Sequence, residues 1–374
     1  MKILVIGPAY PWRGGIAHHT GLLVNHLRKH HDVEVVTFSR QYPSIFFPGT
    51  TQYESGSRDP AFQTNQWIDS INPVNWIRVG LRIRRSSPSL LIFAFSLPFF
   101  APCYGTIAAI ARWGTQTRSL FLCHNIVPHE QRFGDRVLTR FAFAFADFFL
   151  VQSTAVERDL LALKPHARYR VTPHPLYEMF GSPIDKTKAR NLLAISSERV
   201  ILFFGYIRPY KGLETLLHAM VWFGDVLLLV VGEFYDDEER YRSLMRSLQI
   251  EQRVRVVNQY IPNDEVSRYF SAADVVVLPY LSATQSGIVQ IAYNFDKPVI
   301  ATSVGGLQEV VRDGFTGFLV PQNDPEALAS AVRRFYNEQR EHEFVQHVKQ
   351  EKELYSWDRM VAVIEELVDG SGTG

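Results

Sequence analysis

The stretch from Ser282 to Gly306, SATQSGIVQIAYNFDKPVIATSVGG, joins a small-polar loop to an apolar, helix-like run. Backbone N–H groups at such a loop-to-helix start are unpaired and lie at the positive end of the helix dipole. Ser286, Gly287, Ile288 and Val289 therefore read as a cradle for a diphosphate, with Gln285 able to add a side-chain hydrogen bond. The run Ile288–Phe295 lacks a charged outer face, which places it in the interior beside a cleft. A second motif, Phe204-Gly-Tyr-Ile-Arg-Pro-Tyr-Lys-Gly212, follows an apolar strand and brings Arg208 close to Lys211. Two cations there can grip a pyrophosphate and stabilise charge that builds on a departing diphosphate. A plain Lys-Gly surface turn is the other reading of the same residues.

Two further motifs follow strand ends. Gly7-Pro-Ala-Tyr-Pro-Trp-Arg-Gly-Gly-Ile-Ala-His-His19 joins the first strand to the first helix. Ligands of open α/β sheets bind at the carboxyl ends of strands, where this loop must lie. Gly14 and Gly15 allow close backbone approach, but the spacing is not G-x-G-x-x-G, so no dinucleotide is indicated. Leu122-Cys-His-Asn-Ile-Val-Pro-His-Glu130 sets His124 just past a strand end, facing the cleft, unless it is a structural histidine. His129 and Glu130 can equally be a local hydrogen-bonded pair.

Other chemistries are poorly served. No Cys/His cluster has zinc spacing, so no metal is expected. Asp236-Asp237-Glu238 opens a charged helix, where acids favour the dipole. No P-loop and no G-x-S-x-G occur. A net charge of +1 argues against a nucleic-acid partner. Only two cysteines occur, Cys103 and Cys123, which fit a reducing cytoplasm and core positions. The apolar start Met1–Gly7 is too short for a secretory signal. Ser86–Ala111 carries no charge, but Pro98 and Pro102 favour a buried strand, loop and helix over a membrane-inserted segment.

The elements that must position these residues alternate. Strands are expected at Ile3–Ile6, Val33–Phe38, Leu90–Phe95, Leu120–Cys123 and Phe148–Gln152, with helices at Ile16–Lys29, Trp76–Arg85 and Leu138–Phe145. Tyr42–Pro73 reads as loop. The pattern restarts with strands at Val200–Phe204, Val226–Val231, Val254–Asn258, Val275–Pro279, Pro298–Ala301 and Phe318–Val320. Short buried strands separated by helices imply parallel sheets covered on both faces. The predicted organisation is α/β, with two tandem Rossmann-like domains facing a cleft. Residues 1–176 form the first and 177–355 the second, with a C-terminal helix at 356–370.

Taken together, Gly14-Gly15-Ile-Ala-His-His19, His124-Asn125, Gly205–Gly212, Ser286–Gly306, Asp313–Pro321 and Asp324–Leu328 resemble the retaining glycosyltransferases of family 4, whose two-Rossmann-domain fold is called GT-B. The resemblance covers nearly the whole chain. It implies a nucleotide-diphosphate sugar held mostly by the C-terminal domain, and a C-terminal helix that returns to the N-terminal domain. It gives Lys211, Arg208 and His124 catalytic roles, and substrate contacts to Gly14, Gly15, His19, Gln285, Ser286, Gly287, Ile288 and Val289. Base recognition then falls to backbone near Tyr260–Ile261. No cofactor or metal is implied.

Two departures stand out. The family usually carries two glutamates seven residues apart in the donor loop, and those positions here are Ala283 and Ile291. Tyr206 stands where an arginine is common. The leading reading is a retaining, metal-independent hexosyltransferase that passes its sugar to a glycan or lipid-linked acceptor in cell-surface polysaccharide assembly. A non-catalytic nucleotide-sugar-binding subunit of a transferase complex is the alternative; a nucleotide-sugar epimerase fits less well. The basic amphipathic run Trp76–Arg85 suggests peripheral contact with the inner membrane face, with Trp76, Ile77 and Leu81 inserting.

Overall fold

The computed structural model describes residues 1–42, 52–53, 62–128, 132–283 and 286–370. The chain divides into two compact units, Met1–Pro175 with Ser356–Gly374, and Leu176–Tyr355.

The first unit is built on β1 (Lys2–Ile6), β2 (Asp32–Arg40), β3 (Thr64–Asp69), β4 (Leu90–Phe95), β5 (Arg118–Cys123), β6 (Phe148–Val151) and β7 (Tyr169–Val171). They form one sheet in the order β3-β2-β1-β4-β5-β6-β7, parallel throughout. Its helices are α1 (Gly15–Leu27), α2 (Pro73–Ser86), α3 (Ala101–Arg112), α4 (Asp135–Phe143) and α5 (Thr154–Leu163). Right-handed crossovers carry α2 to α5 over one face and α1 over the other. The C-terminal helix, Trp357–Asp369, lies beside α1. Covered on both sides, the central strands must be apolar at every position, and all six residues of β4 are buried.

Two expectations change here, those for Tyr42–Pro73 and Trp76, and the one for Ser86–Ala111 holds. The span Tyr42–Pro73 contains β3, an edge strand whose polar Asn65, Gln66 and Asp69 hide its β character, and whose register against β2 shifts near Phe38. The uncharged run Ser86–Ala111 spans the end of α2, β4, a short turn of helix and most of α3. Among the described residues no helix is long and apolar enough to cross a membrane. Trp76 is not an outward anchor: its indole Nε1 donates to Asp69 O at 2.7 Å and its ring packs on the core.

The second unit carries β8 (Arg199–Phe204), β9 (Val226–Val231), β10 (Val254–Val257), β11 (Val275–Leu278), β12 (Val299–Thr302) and β13 (Gly317–Val320) in the parallel order β10-β9-β8-β11-β12-β13. Its helices are α6 (Lys186–Leu192), α7 (Leu213–Ala219), α8 (Glu238–Ser247), α9 (Val266–Ala272), α10 (Gly287–Asn294), α11 (Leu307–Val310), α12 (Pro325–Asn337) and α13 (Glu341–Glu351). From β8 the chain turns toward β9; from β11 it turns the opposite way, toward β12. The carboxyl ends of β8 and β11 therefore border the switch-point crevice where such sheets bind ligands. At the amino ends of the same strands, Asp274 is 2% exposed and accepts from Val200 N, Lys186, Arg190 and the Tyr336 hydroxyl. This buried, fully bonded carboxylate ties α6, β8 and α12 together.

Candidate functional site

In the second unit, the loop after β8 and the loop after β11 meet at the switch point. Gly212 makes the contact possible. It has φ of 69°, and a β-carbon there would lie 1.9 Å from Pro279 O, so only glycine fits. Leu281 N donates to Tyr210 O at 2.7 Å and ties the loops again. Lys211 is carried inward by this turn and is 8% exposed. Its Nζ lies 5.7 Å from the centre of the Tyr280 ring. Burial, and then the charge of Arg208, lower the Lys211 ammonium to about 7. Among the described residues neither Lys211 nor Arg208 forms an ion pair. Arg208 lies over Tyr235, 5.1 Å from the ring centre, and Tyr235 stacks on Tyr206 at 4.6 Å. The tyrosine that replaces a common arginine thus helps to build the platform on which Arg208 rests.

The start of α10 differs in part from a simple amide cradle. The Ser286 Oγ accepts from Ile288 N at 3.3 Å, and Ser286 O accepts from Val289 N at 3.2 Å. Two of the four expected amides are therefore spent on the cap itself, while Gly287 N–H opens the helix. Gly287 lies under Tyr177, whose ring would be 2.9 Å from an added β-carbon. The Ile288 side chain approaches Gly205. Gln285 lies outside the described residues. At the two acid positions, Ala283 and Ile291 are buried apolar residues, 9% and 5% exposed. Gln290 was not singled out from the sequence. It is 1% exposed, and its Oε1 accepts no hydrogen bond among the described residues.

In the first unit, Gly14 takes φ of 116° as the residue before α1, and Gly15 is the exposed first residue of that helix. His124 follows β5, with its N–H donating to Phe95 O at 2.8 Å. His19 does not reach an open surface: at 1% exposure it packs edge-on against His124, His174 and Trp357, with ring centres 4.5, 4.7 and 4.8 Å away. The Gln152 amide reaches His19 Nε2 at 3.0 Å and also bonds His124. His174 Nδ1 donates to Pro175 O at 2.7 Å, which leaves its Nε2 as an acceptor. His174 and Gln152 join the cluster only through the fold. They stand at the ends of β7 and β6, and the repeat of polar residues after strand ends was the one available signal.

Burial pushes all three imidazoles below their ordinary range: His124 to about 3, with His174 adding to the shift, and His174 to about 4. His19 lies well below its usual value. The trio is neutral near pH 7, suited to hydrogen bonding and not to donating a full proton. Its possible ligand atoms lie within 4.8 Å of one another. Zinc bonds of about 2.0–2.1 Å would need a tighter group, and His19 Nε2 is already held by Gln152, so the cluster suits packing better than ligation.

Two family models match. The glycosyl transferase 4-like domain covers residues 14–175 and the glycosyl transferases group 1 model covers residues 198–338. The chain is 34% identical over 200 residues to a D-inositol 3-phosphate glycosyltransferase of Catenulispora acidiphila, a match that covers 49% of this chain and 48% of that protein. The chain spans about half the length of the curated relatives it matches. Among solved structures, sucrose-phosphate synthase of Thermosynechococcus elongatus superposes with a TM-score of 0.78 at 20% identity, covering 99% of each chain. Anabaena HepE in complex with UDP gives 0.77 at 18% identity, covering 99% of this chain and 100% of that one. Such identities establish the fold, two Rossmann-like domains of GT-B type. With both halves of the chain matched in order, the protein belongs to the group 1 glycosyl transferases.

Proposed function

We propose that this protein moves a hexose from a nucleotide-diphosphate sugar to a glycan or lipid-linked acceptor, with retention at the sugar carbon and without a metal. One observation carries the proposal. Lys211 is a buried amine at the switch-point crevice that pairs with no carboxylate among the described residues, and a diphosphate supplies the counter-charge that would hold it protonated. Arg208 and the Gly287 N–H add to the same anion site. The HepE structures hold UDP and UDP-glucose, which favours a uridine donor here.

No carboxylate nucleophile is needed. The acceptor hydroxyl attacks the anomeric carbon on the face that the diphosphate leaves. The new C–O bond forms as the bond to phosphate breaks, and the leaving phosphate oxygen takes the hydroxyl proton. The protein positions the partners and stabilises the departing charge. Neutral His124 offers a hydrogen bond to the sugar or acceptor. The buried Ala283 and Ile291 in place of acids favour a second reading, a nucleotide-sugar-binding subunit that does not turn over.

Calorimetric titration with UDP, GDP, ADP and their sugars, with and without EDTA, tests the first reading. Binding of one nucleotide, unaffected by EDTA, followed by transfer to a lipid-linked acceptor, supports it. Binding without turnover supports the second. No binding removes both.

A further inference from the structure

The helices over one face of the first sheet carry a charge unlike that of the rest of the chain. α2 and α4 flank α3. Together these three helices contain seven arginines, no lysine and one acid, Asp135, for a net charge of +6. The whole chain carries only +1, so everything outside this layer sums to −5. The basic layer ends at α5, which brings Glu157 and Asp159.

The same layer exposes large apolar side chains. At α4, Phe133 projects wholly into solvent, and Val137, Leu138 and Phe141 are 68%, 37% and 42% exposed. Arg132, Arg136 and Arg140 are exposed among them. α2 repeats the pattern: Val74, Ile77 and Leu81 are exposed at helical spacing beside Arg78, Arg82 and Arg85. A water-facing helix of a soluble surface does not usually point four bulky apolar groups outward. An isolated apolar patch would suit a protein partner, and an isolated basic patch would suit any polyanion. Arginine and bulky apolar residues interleaved on two helices of one layer match the interface of an anionic bilayer, where acyl chains take the apolar groups and headgroup phosphates take the guanidinium groups. A second copy of the chain is the poorer occupant, because a two-fold contact would set +6 against +6.

We infer that the α2–α4 layer docks on an anionic lipid surface, with Phe133 and Val137 at the start of α4 as its main inserting groups. This deepens the proposed function by naming where a lipid-linked acceptor is met, and it rests on that reading only for its purpose. The start of α4 is reached by the loop from the carboxyl end of β5, the strand end that carries His124.

Vesicle flotation tests the inference, with the whole chain and vesicles of phosphatidylcholine alone or mixed with phosphatidylglycerol. The expected result is flotation with the mixed vesicles only, weakened by salt. The double variant Phe133→Asp with Val137→Asp should lower the partition coefficient at least about tenfold, as should Arg136→Glu with Arg140→Glu. All these side chains point into water, so melting temperature and UDP titration should not change. Absence of flotation overturns the inference, as does flotation indifferent to Phe133→Asp with Val137→Asp, which is adhesion by charge alone. A dimer in gel filtration that this variant dissolves also overturns it and assigns the face to a second copy. Flotation without nucleotide binding leaves the surface standing and removes the proposed function; nucleotide binding and transfer without flotation does the reverse.

Discussion

Acidification should destabilise the first unit, because three imidazoles are buried in it as neutral groups. In the unfolded chain each of His19, His124 and His174 takes up a proton near pH 6.5, about the ordinary value for histidine. In the folded unit burial holds His124 neutral until about pH 3 and His174 until about pH 4, and keeps His19 well below its ordinary range. The unfolded state therefore binds more protons throughout this window, and stability falls as pH falls. At about pH 5.5 each buried imidazole contributes a loss of RT ln(1 + 10), about 1.4 kcal/mol, relative to about pH 7.5. Three together cost about 4 kcal/mol, a large share of the roughly 5–15 kcal/mol that stabilises a typical domain. The ion-paired carboxylate of Asp358, bonded to Lys29 and His26, is held down to about 2, and its contribution is lost only at more acid pH. Tryptophan fluorescence in urea reads the right unit, since Trp12, Trp67, Trp76, Trp113 and Trp357 lie in the first and only Trp222 in the second. The variant His174→Gln should remove about a third of the pH effect. A urea midpoint equal at both pH values, or one that rises on acidification, refutes the reasoning.

Lys211→Met should lower turnover by about 10²–10³ if Lys211 meets the leaving diphosphate. With its ammonium at about 7 in the empty site, nucleotide affinity should weaken as pH rises above that value, and the methionine variant should lose this dependence in calorimetric titrations. Gly212→Ala should destabilise the second unit by more than about 2 kcal/mol, since it adds left-handed strain to a collision with Pro279 O; thermal unfolding measures it. Asp274→Ala should cost about 3–5 kcal/mol in urea unfolding, because it removes the buried acceptor of Val200 N, Lys186 and Arg190 and strands the Arg190 charge, while Lys186 keeps Glu341.

Strands in the middle of each sheet were legible because covering both faces forces unbroken apolar runs, and Leu90–Phe95 is placed to the residue. The edge strands of the first sheet were not. β3 and β7 have one free side and carry Asn65, Gln66 and Arg170, so neither forms an apolar run. Positions after strand ends pointed to His124 and Lys211, since topology sends such residues to one edge of the sheet. The partners of His19 were invisible, because His124, Gln152, His174 and Trp357 come from distant elements. The pairing of Ser286 with Ile288 N was equally hidden: a cap and a phosphate compete for the same amides, and sequence does not say which takes them. Exposed Phe133 and the face of α4 were missed because its arginines and apolar residues share the period of an ordinary surface helix.

The C-terminal helix imposes an order on synthesis. Trp357 packs against His19 and His26, Asp358 bonds His26 and Lys29, and His31 bonds Glu365, so the interior around α1 is closed by residues translated after the whole second unit. Residues 176–355 can fold as they leave the ribosome. During that interval, roughly 10–40 s at ordinary elongation rates, the first unit waits with His19 and the α1 surface open to water. A premature stop just before Trp357 would thus spare the neighbouring unit and strip the distant, earlier-made one. In the cell, chaperone demand should concentrate on the first unit.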